Sequence, residues 1–176
     1  MDYPVFIVPG IGNSGPLHWQ SLWQASHPEW QRLSVDDWDR VACDDWVSQI
    51  ERQLPANGAN PVIVAHSLGC LAVAHWASRH GRAIRGALLV AVPDPTAPAF
   101  PREATSGFEP LPSKRLPFPT IVVASTDDPY GSAPHARTCA AAWGSEFVDI
   151  GARGHINAAS NLGDWHDGLR LLDRMN

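Results

Sequence analysis

A chain of 176 residues, 44% of them hydrophobic and with a formal net charge of −5, has the length of one domain, residues 1–176, and enough apolar material for a sizeable core. The acidic balance leaves no basic stripe to neutralise phosphates, which argues against a nucleic-acid or anionic-membrane partner, and no apolar run reaches the length of a membrane span. No basic leader precedes the first apolar run, and the three cysteines (Cys43, Cys70, Cys139) are odd in number without a C-x-x-C, so free buried thiols in a reducing cytoplasm are expected.

In chain order, Val5-Phe6-Ile7-Val8 reads as a first buried strand. The glycine-rich stretch Pro9-Gly10-Ile11-Gly12-Asn13-Ser14-Gly15 follows. A helix should then open at Pro16, with Leu17, Trp19, Leu22 and Trp23 on its apolar side. The glycine stretch is not a P-loop, since no Gly-Lys-Ser/Thr follows. Gly10, Gly12 and Gly15 do match the dinucleotide spacing G-x-G-x-x-G, with Asp36 or Asp37 after the weak run Arg32-Leu33-Ser34-Val35 as the acidic partner. The other reading of this loop is a set of backbone N–H groups that stabilise an oxyanion. The acidic runs at 36–39 and 44–45 read as solvated loop and helix N-terminal charges rather than a metal cluster. A helix over 44–54 turns Trp46, Val47, Ile50 and Leu54 inward and stops before Pro55.

The densest signal lies in Pro61-Val62-Ile63-Val64-Ala65-His66-Ser67-Leu68-Gly69-Cys70-Leu71-Ala72-Val73. An apolar, β-branched run breaks off at His66-Ser67, and small and aliphatic residues at helical spacing take over up to about His80. A serine at such a turn is either an ordinary helix cap or a nucleophile lifted above the sheet at a G-x-S-x-G elbow, here with Ala65 in place of the first glycine. Residues 86–92 form the next buried strand. Eight of the sixteen prolines then fall between Pro93 and Pro119, which marks an irregular cap or a surface loop over the elbow, with one short helix expected near 101–106. A fifth strand at 120–125, a helix capped by Ser132 and closed at Gly144, a sixth strand at 146–150 and a final helix holding Trp165, Leu169 and Leu172 complete the chain. Strands alternating with helices give an α/β fold of about six mainly parallel strands covered on both faces. The tryptophans, several at helical spacing, read as packing residues.

Ligands of such sheets bind at the carboxyl ends of the strands, and three chemically loaded residues stand there: Ser67, Asp128 and His155. Serine needs a base to take its proton, and a histidine needs a carboxylate on its other nitrogen to fix its tautomer. Asp127 and Asp128 also suit an Asx turn before Pro129, and Asp94 is a rival position for the acid. His66 reads as packing behind the elbow. No paired His/Cys spacing suggests a metal, and no cofactor is expected.

Val8-Pro9-Gly10-Ile11-Gly12, His18-Trp19, Ala65-His66-Ser67-Leu68-Gly69, Ser125-Thr126-Asp127-Asp128-Pro129 and Gly154-His155-Ile156-Asn157 together resemble the small serine hydrolases of the retinoblastoma-binding protein 9/YdeN-like family over essentially the whole chain. The resemblance implies a reduced α/β-hydrolase fold that begins at the strand usually third, with strand order 2-1-3-4-5-6. It implies a Ser67–His155–Asp128 triad, with the acid on the second aspartate, and oxyanion donors at the backbone N–H groups of Ile11 and Leu68. A carboxylesterase-like activity on a small ester or thioester substrate follows. Binding to retinoblastoma protein is not implied, because the chain has no L-x-C-x-E, and a protein partner is not identified. Gly12, His18, Trp19, Trp38 and the Pro93–Pro119 segment are candidate walls of the substrate pocket. The alternative is a protein of the same fold that binds or regulates with little turnover.

Overall fold

The computed structural model describes residues 3–55 and 59–175. Its centre is a six-stranded, wholly parallel sheet built from β1 (Val5–Val8), β2 (Gln31–Arg32), β4 (Val62–His66), β5 (Gly86–Val90), β7 (Thr120–Ala124) and β8 (Glu146–Asp149), in the spatial order β2-β1-β4-β5-β7-β8. Renumbered among themselves, these strands follow the expected order 2-1-3-4-5-6. A separate parallel pair joins β3 (Val41–Ala42) to β6 (Thr105–Ser106).

Every residue of β1, β4, β5 and β7 is buried, and the side chains divide by period two between two cores. Phe6, Val8, Ile63, Ala65, Leu89 and Val122 face the core beneath α2 (Cys43–Gln53), α3 (Leu68–His80) and α4 (Ala133–Trp143). Val5, Ile7, Val62, Val64, Leu88 and Val123 face the other core, under α1 (Trp19–Ser26) and α5 (His166–Asp173). Burial on both faces explains why these strands read as unbroken apolar runs.

Seven of the eight tryptophans are buried, three in the first core and four in the second; Trp38 is only partly buried. The three cysteines are free and buried. Ser132 caps α4 by accepting the His135 N–H, and Gly144 ends the helix in the left-handed conformation.

Besides a strand that ends at Val90 rather than residue 92 and a final helix that Trp165 precedes as its N-cap, the structure departs from expectation at three points. First, α1 starts at Trp19 rather than Pro16, because the ring of His18 caps it by accepting the Gln20 N–H. Leu17 is thereby left on the preceding turn, 76% exposed, instead of on the apolar face. Second, residues 101–106 hold no helix. Thr105 and Ser106 pair with Val41 and Ala42 instead, and the Ala104 carbonyl accepts from the Val41 N–H. Third, the second strand of the main sheet is Gln31–Arg32, slightly earlier than the run at 32–35, because Leu33 turns into the first core.

The Pro93–Pro119 segment is tied to the body by buried side chains and by donors from neighbouring helices. Phe100, Phe108, Leu116 and Phe118 are buried. The Trp143 indole N–H donates to the Pro112 carbonyl, and His75 is hydrogen-bonded to the Phe108 carbonyl. Among the described residues no helix is long and apolar enough to cross a membrane.

Candidate active site

Ser67 sits between the last residue of β4 and the first of α3 with φ 54° and ψ −127°. A non-glycine residue there costs about 1–3 kcal/mol and persists only where the surroundings enforce it. Here the Ser67 N–H donates to the Val90 carbonyl, and the Ser67 carbonyl accepts from Cys70. The helix is brought hard against the first strand: a Cβ at Gly69 would lie 2.6 Å from the Val8 carbonyl oxygen. Likewise a Cβ at Gly10 would lie 2.9 Å from the Ser67 Cβ. Both glycines are therefore demanded by close backbone approach. Ala65 occupies an ordinary strand position, paired with Val8 and Leu89, and its methyl packs into the first core.

The residues at the strand ends converge. His155 Nε2 lies 2.8 Å from Ser67 Oγ, and its Nδ1 lies 2.9 Å from both carboxylate oxygens of Asp128. Asp128 is buried and acceptor-only when ionised, so Nδ1 carries the proton and Nε2 is left to accept from the serine hydroxyl. The Asx turn is present in the same residue, since Asp128 Oδ1 also accepts the Tyr130 N–H at 2.9 Å. Asp127 does different work. Its Oδ1 accepts from Ser125 Oγ and from the Gly154 N–H, each at 2.7 Å, which fastens the loop before His155 to the end of β7. The rival Asp94 is turned away. Its carboxylate accepts from Thr96 and lies 3.7 Å from His135.

Two buried ring N–H groups hold the far side of the base loop. His66 Nε2 is 2.9 Å from the His155 carbonyl, and Trp19 Nε1 donates to the Ile156 carbonyl at 2.8 Å. A carbonyl only accepts, so His66 is the Nε2–H tautomer. Burial pushes its basicity well below the ordinary histidine range, and the nearby imidazoles of His155 and His18 add to the effect. His18 is lowered to about 4, chiefly by burial and then by Arg32 and His155. Both rings are therefore neutral near pH 7. Gln20, fully buried, links the carbonyl of Val8 to that of Val64 through its amide N–H groups and accepts from Ser14 Oγ.

A cavity of about 290 Å³ opens over Ser67. Ser67, His155, Ile11, Leu68 and His18 line it, together with Gly10 and His66. Leu68 is the first residue of α3, where a backbone N–H has no intrahelical acceptor, and the helix dipole favours negative charge there. Three of the sequence-based wall candidates do not line this cavity. Trp19 is buried in an aromatic cluster with Trp23 and Trp165, Trp38 packs edge-on against Trp46, and Gly12 is engaged with Trp38 through its N–H. Phe100, Tyr130, Asn13 and Asn157 line it as well: Phe100 lies in the Pro93–Pro119 segment expected over the elbow, Asn13 in the glycine-rich stretch and Asn157 in the His155 motif, while Tyr130 follows the Asp127-Asp128-Pro129 turn without a mark of its own. The dinucleotide reading of the glycine stretch fails on geometry, since Gly10 packs against Ser67 and α1 begins four residues beyond Gly15.

A model of the family described as serine hydrolase matches residues 5–174. A YdeN-like hydrolase from Pectobacterium atrosepticum is 34% identical, with a TM-score of 0.87 over 99% of this chain and 90% of its own. The ydeN gene product of B. subtilis, at 16% identity, has a TM-score of 0.75 over 98% of each chain. The type II thioesterase BorB of the borrelidin biosynthetic cluster shares the fold at 16% identity and a TM-score of 0.64, over 98% of this chain and 91% of its own. No curated protein matches the chain.

Proposed function

The chain belongs to the serine hydrolase family, as a small YdeN-like member with the α/β-hydrolase fold, and from that premise we propose that it cleaves carboxylic esters or thioesters through an acyl-enzyme on Ser67. The observation that carries this reading is the unbroken relay from Ser67 Oγ to His155 Nε2 and from His155 Nδ1 to Asp128, with distances of 2.8 and 2.9 Å.

His155 Nε2 takes the hydroxyl proton as Ser67 Oγ bonds to the substrate carbonyl carbon, and the carbonyl π electrons move onto oxygen. The backbone N–H groups of Ile11 and Leu68 receive that oxyanion; one such donor is typically worth about 10²–10³ in rate. Collapse of the tetrahedral species breaks the bond to the alcohol or thiol, which leaves with the proton from His155. A water then gives a proton to His155 and attacks the acyl carbon. The second collapse returns that proton to Ser67 Oγ and releases the acid. Asp128 keeps the imidazole in the productive tautomer and stabilises the imidazolium.

The test is active-site labelling with a fluorophosphonate, alongside turnover of p-nitrophenyl acetate. Labelling and turnover that both vanish in Ser67→Ala are expected. An unlabelled, inactive wild-type protein would instead fit a chain that keeps the fold for binding or regulation.

A further inference from the structure

Resting on the hydrolase reading, we propose that the substrate is an ester of a short, uncharged acyl group whose alcohol side is not restricted. Size is the first ground. At about 290 Å³ the cavity stands at the small end of ligand pockets. The ester group itself fills part of it, so the outer carbons of a long acyl chain lie beyond these walls, where they gain no apolar burial.

Charge is the second ground. The cavity is lined by Gly10, Asn13, Ser67, Asn157, the apolar or aromatic residues Ile11, Leu68, Pro93, Phe100, Pro101 and Tyr130, and three histidines, with no lysine, arginine, aspartate or glutamate. Two of those imidazoles, His18 and His66, are held neutral by burial, and the third is engaged with Asp128. An acyl group ending in a carboxylate would lose its hydration without gaining a counter-charge, which is strongly unfavourable.

The direction of the alcohol is the third ground. The leaving oxygen must come within reach of His155 Nε2 to be protonated. The ring of Tyr130, 39% exposed, lies 4.6 Å from that imidazole, so the alcohol departs along a partly open aromatic wall. The acyl group is left with Ile11, Leu68 and the Pro93, Phe100 and Pro101 side of the cavity, where Phe100 is buried.

The experiment is kcat/KM in three arms: p-nitrophenyl esters with acyl chains from acetate to octanoate, p-nitrophenyl hemisuccinate against the neutral valerate of similar length, and acetates of alkyl alcohols of graded size and similar leaving ability, followed by the acid released. Acetate or butyrate should exceed octanoate by about tenfold or more, the hemisuccinate should fall about 100-fold below valerate, and the alcohol should change rates far less than the acyl chain. Phe100→Ala should raise the octanoate-to-butyrate ratio by about tenfold; the wild-type arms decide the matter alone if that variant does not fold. Octanoate turned over as well as butyrate, or hemisuccinate within threefold of valerate, overturns the proposal while Ser67-dependent turnover leaves the hydrolase reading standing. Turnover of no ester also overturns it, and fluorophosphonate labelling then tells whether the hydrolase reading survives.

Discussion

The His66 ring and the His155 backbone are joined by a 2.9 Å hydrogen bond from Nε2–H to the carbonyl oxygen, so the residue before the elbow serine grips the residue that abuts its hydroxyl. Because misplacing a reacting group by about 1 Å can cost about 10²-fold, His66→Phe should lower kcat by about 10–100-fold with KM little changed. His66→Gln, which restores an N–H donor, should recover part of the loss. A KM effect of the same size as the kcat effect would mean that His66 binds substrate instead of seating the base.

The two neighbouring aspartates should separate by kinetics and by stability. Asp128→Asn puts the wrong tautomer on His155 and should reduce kcat by about 10⁴-fold. Asp127→Asn leaves that tautomer intact and weakens the tie between β7 and the His155 loop. Hydrogen bonds from Ser125 and Gly154 hold the Asp127 carboxyl below its usual range. Its contribution is thus complete above the unfolded value near 3.8 and is lost as pH falls through the lower folded value. Melting temperature followed from pH 5 to pH 2.5 should accordingly fall less steeply in Asp127→Asn than in wild type.

Acid should destabilise the fold from a higher pH through its buried histidines. His18, His66 and His75 are all lowered by burial, His18 to about 4 from 6.5. Between those two values the unfolded chain binds a proton that native His18 refuses, so stability drops as pH falls from about 6.5 to about 4, at up to about 1.4 kcal/mol per pH unit for each such group. Urea unfolding at a series of pH values gives this slope directly. His18→Gln should reduce it by the share of one histidine; an unchanged slope would contradict the burial of a neutral ring.

Two glycines should fail in different ways. A Cβ at Gly69 would press on the carbonyl oxygens of Val8 and Pro9, which are backbone and cannot swing aside. Gly69→Ala should therefore cost about 1–3 kcal/mol in urea unfolding. A Cβ at Gly10 meets the Ser67 Cβ at 2.9 Å, an atom fixed to the elbow backbone. Gly10→Ala should therefore also lower stability and, by displacing the residue that bears the hydroxyl, lower kcat/KM by about 100-fold.

The sequence by itself determined the sheet and its loaded ends. Strands buried on both faces must be apolar throughout, so β1, β4, β5 and β7 were legible as runs, and Ser67, the Asp127-Asp128 pair and His155 stood out as polar residues where such runs or their successors stop. Local chemistry also marked the Ser132 and Gly144 caps. Only the tertiary structure decided the rest, because the deciding contacts join segments far apart in the chain and leave no periodicity in either. Two-residue strands at 41–42 and 105–106 exist only by pairing with each other. The His18 ring, by capping α1, moved the helix start and exposed Leu17. Trp19 became a core donor to the Ile156 carbonyl instead of a pocket wall, while Phe100 and Tyr130 took that place through the path of the loops that carry them. Which carboxylate reaches the imidazole was likewise a matter of loop direction, with Asp127 turned to Gly154 and Asp128 to His155.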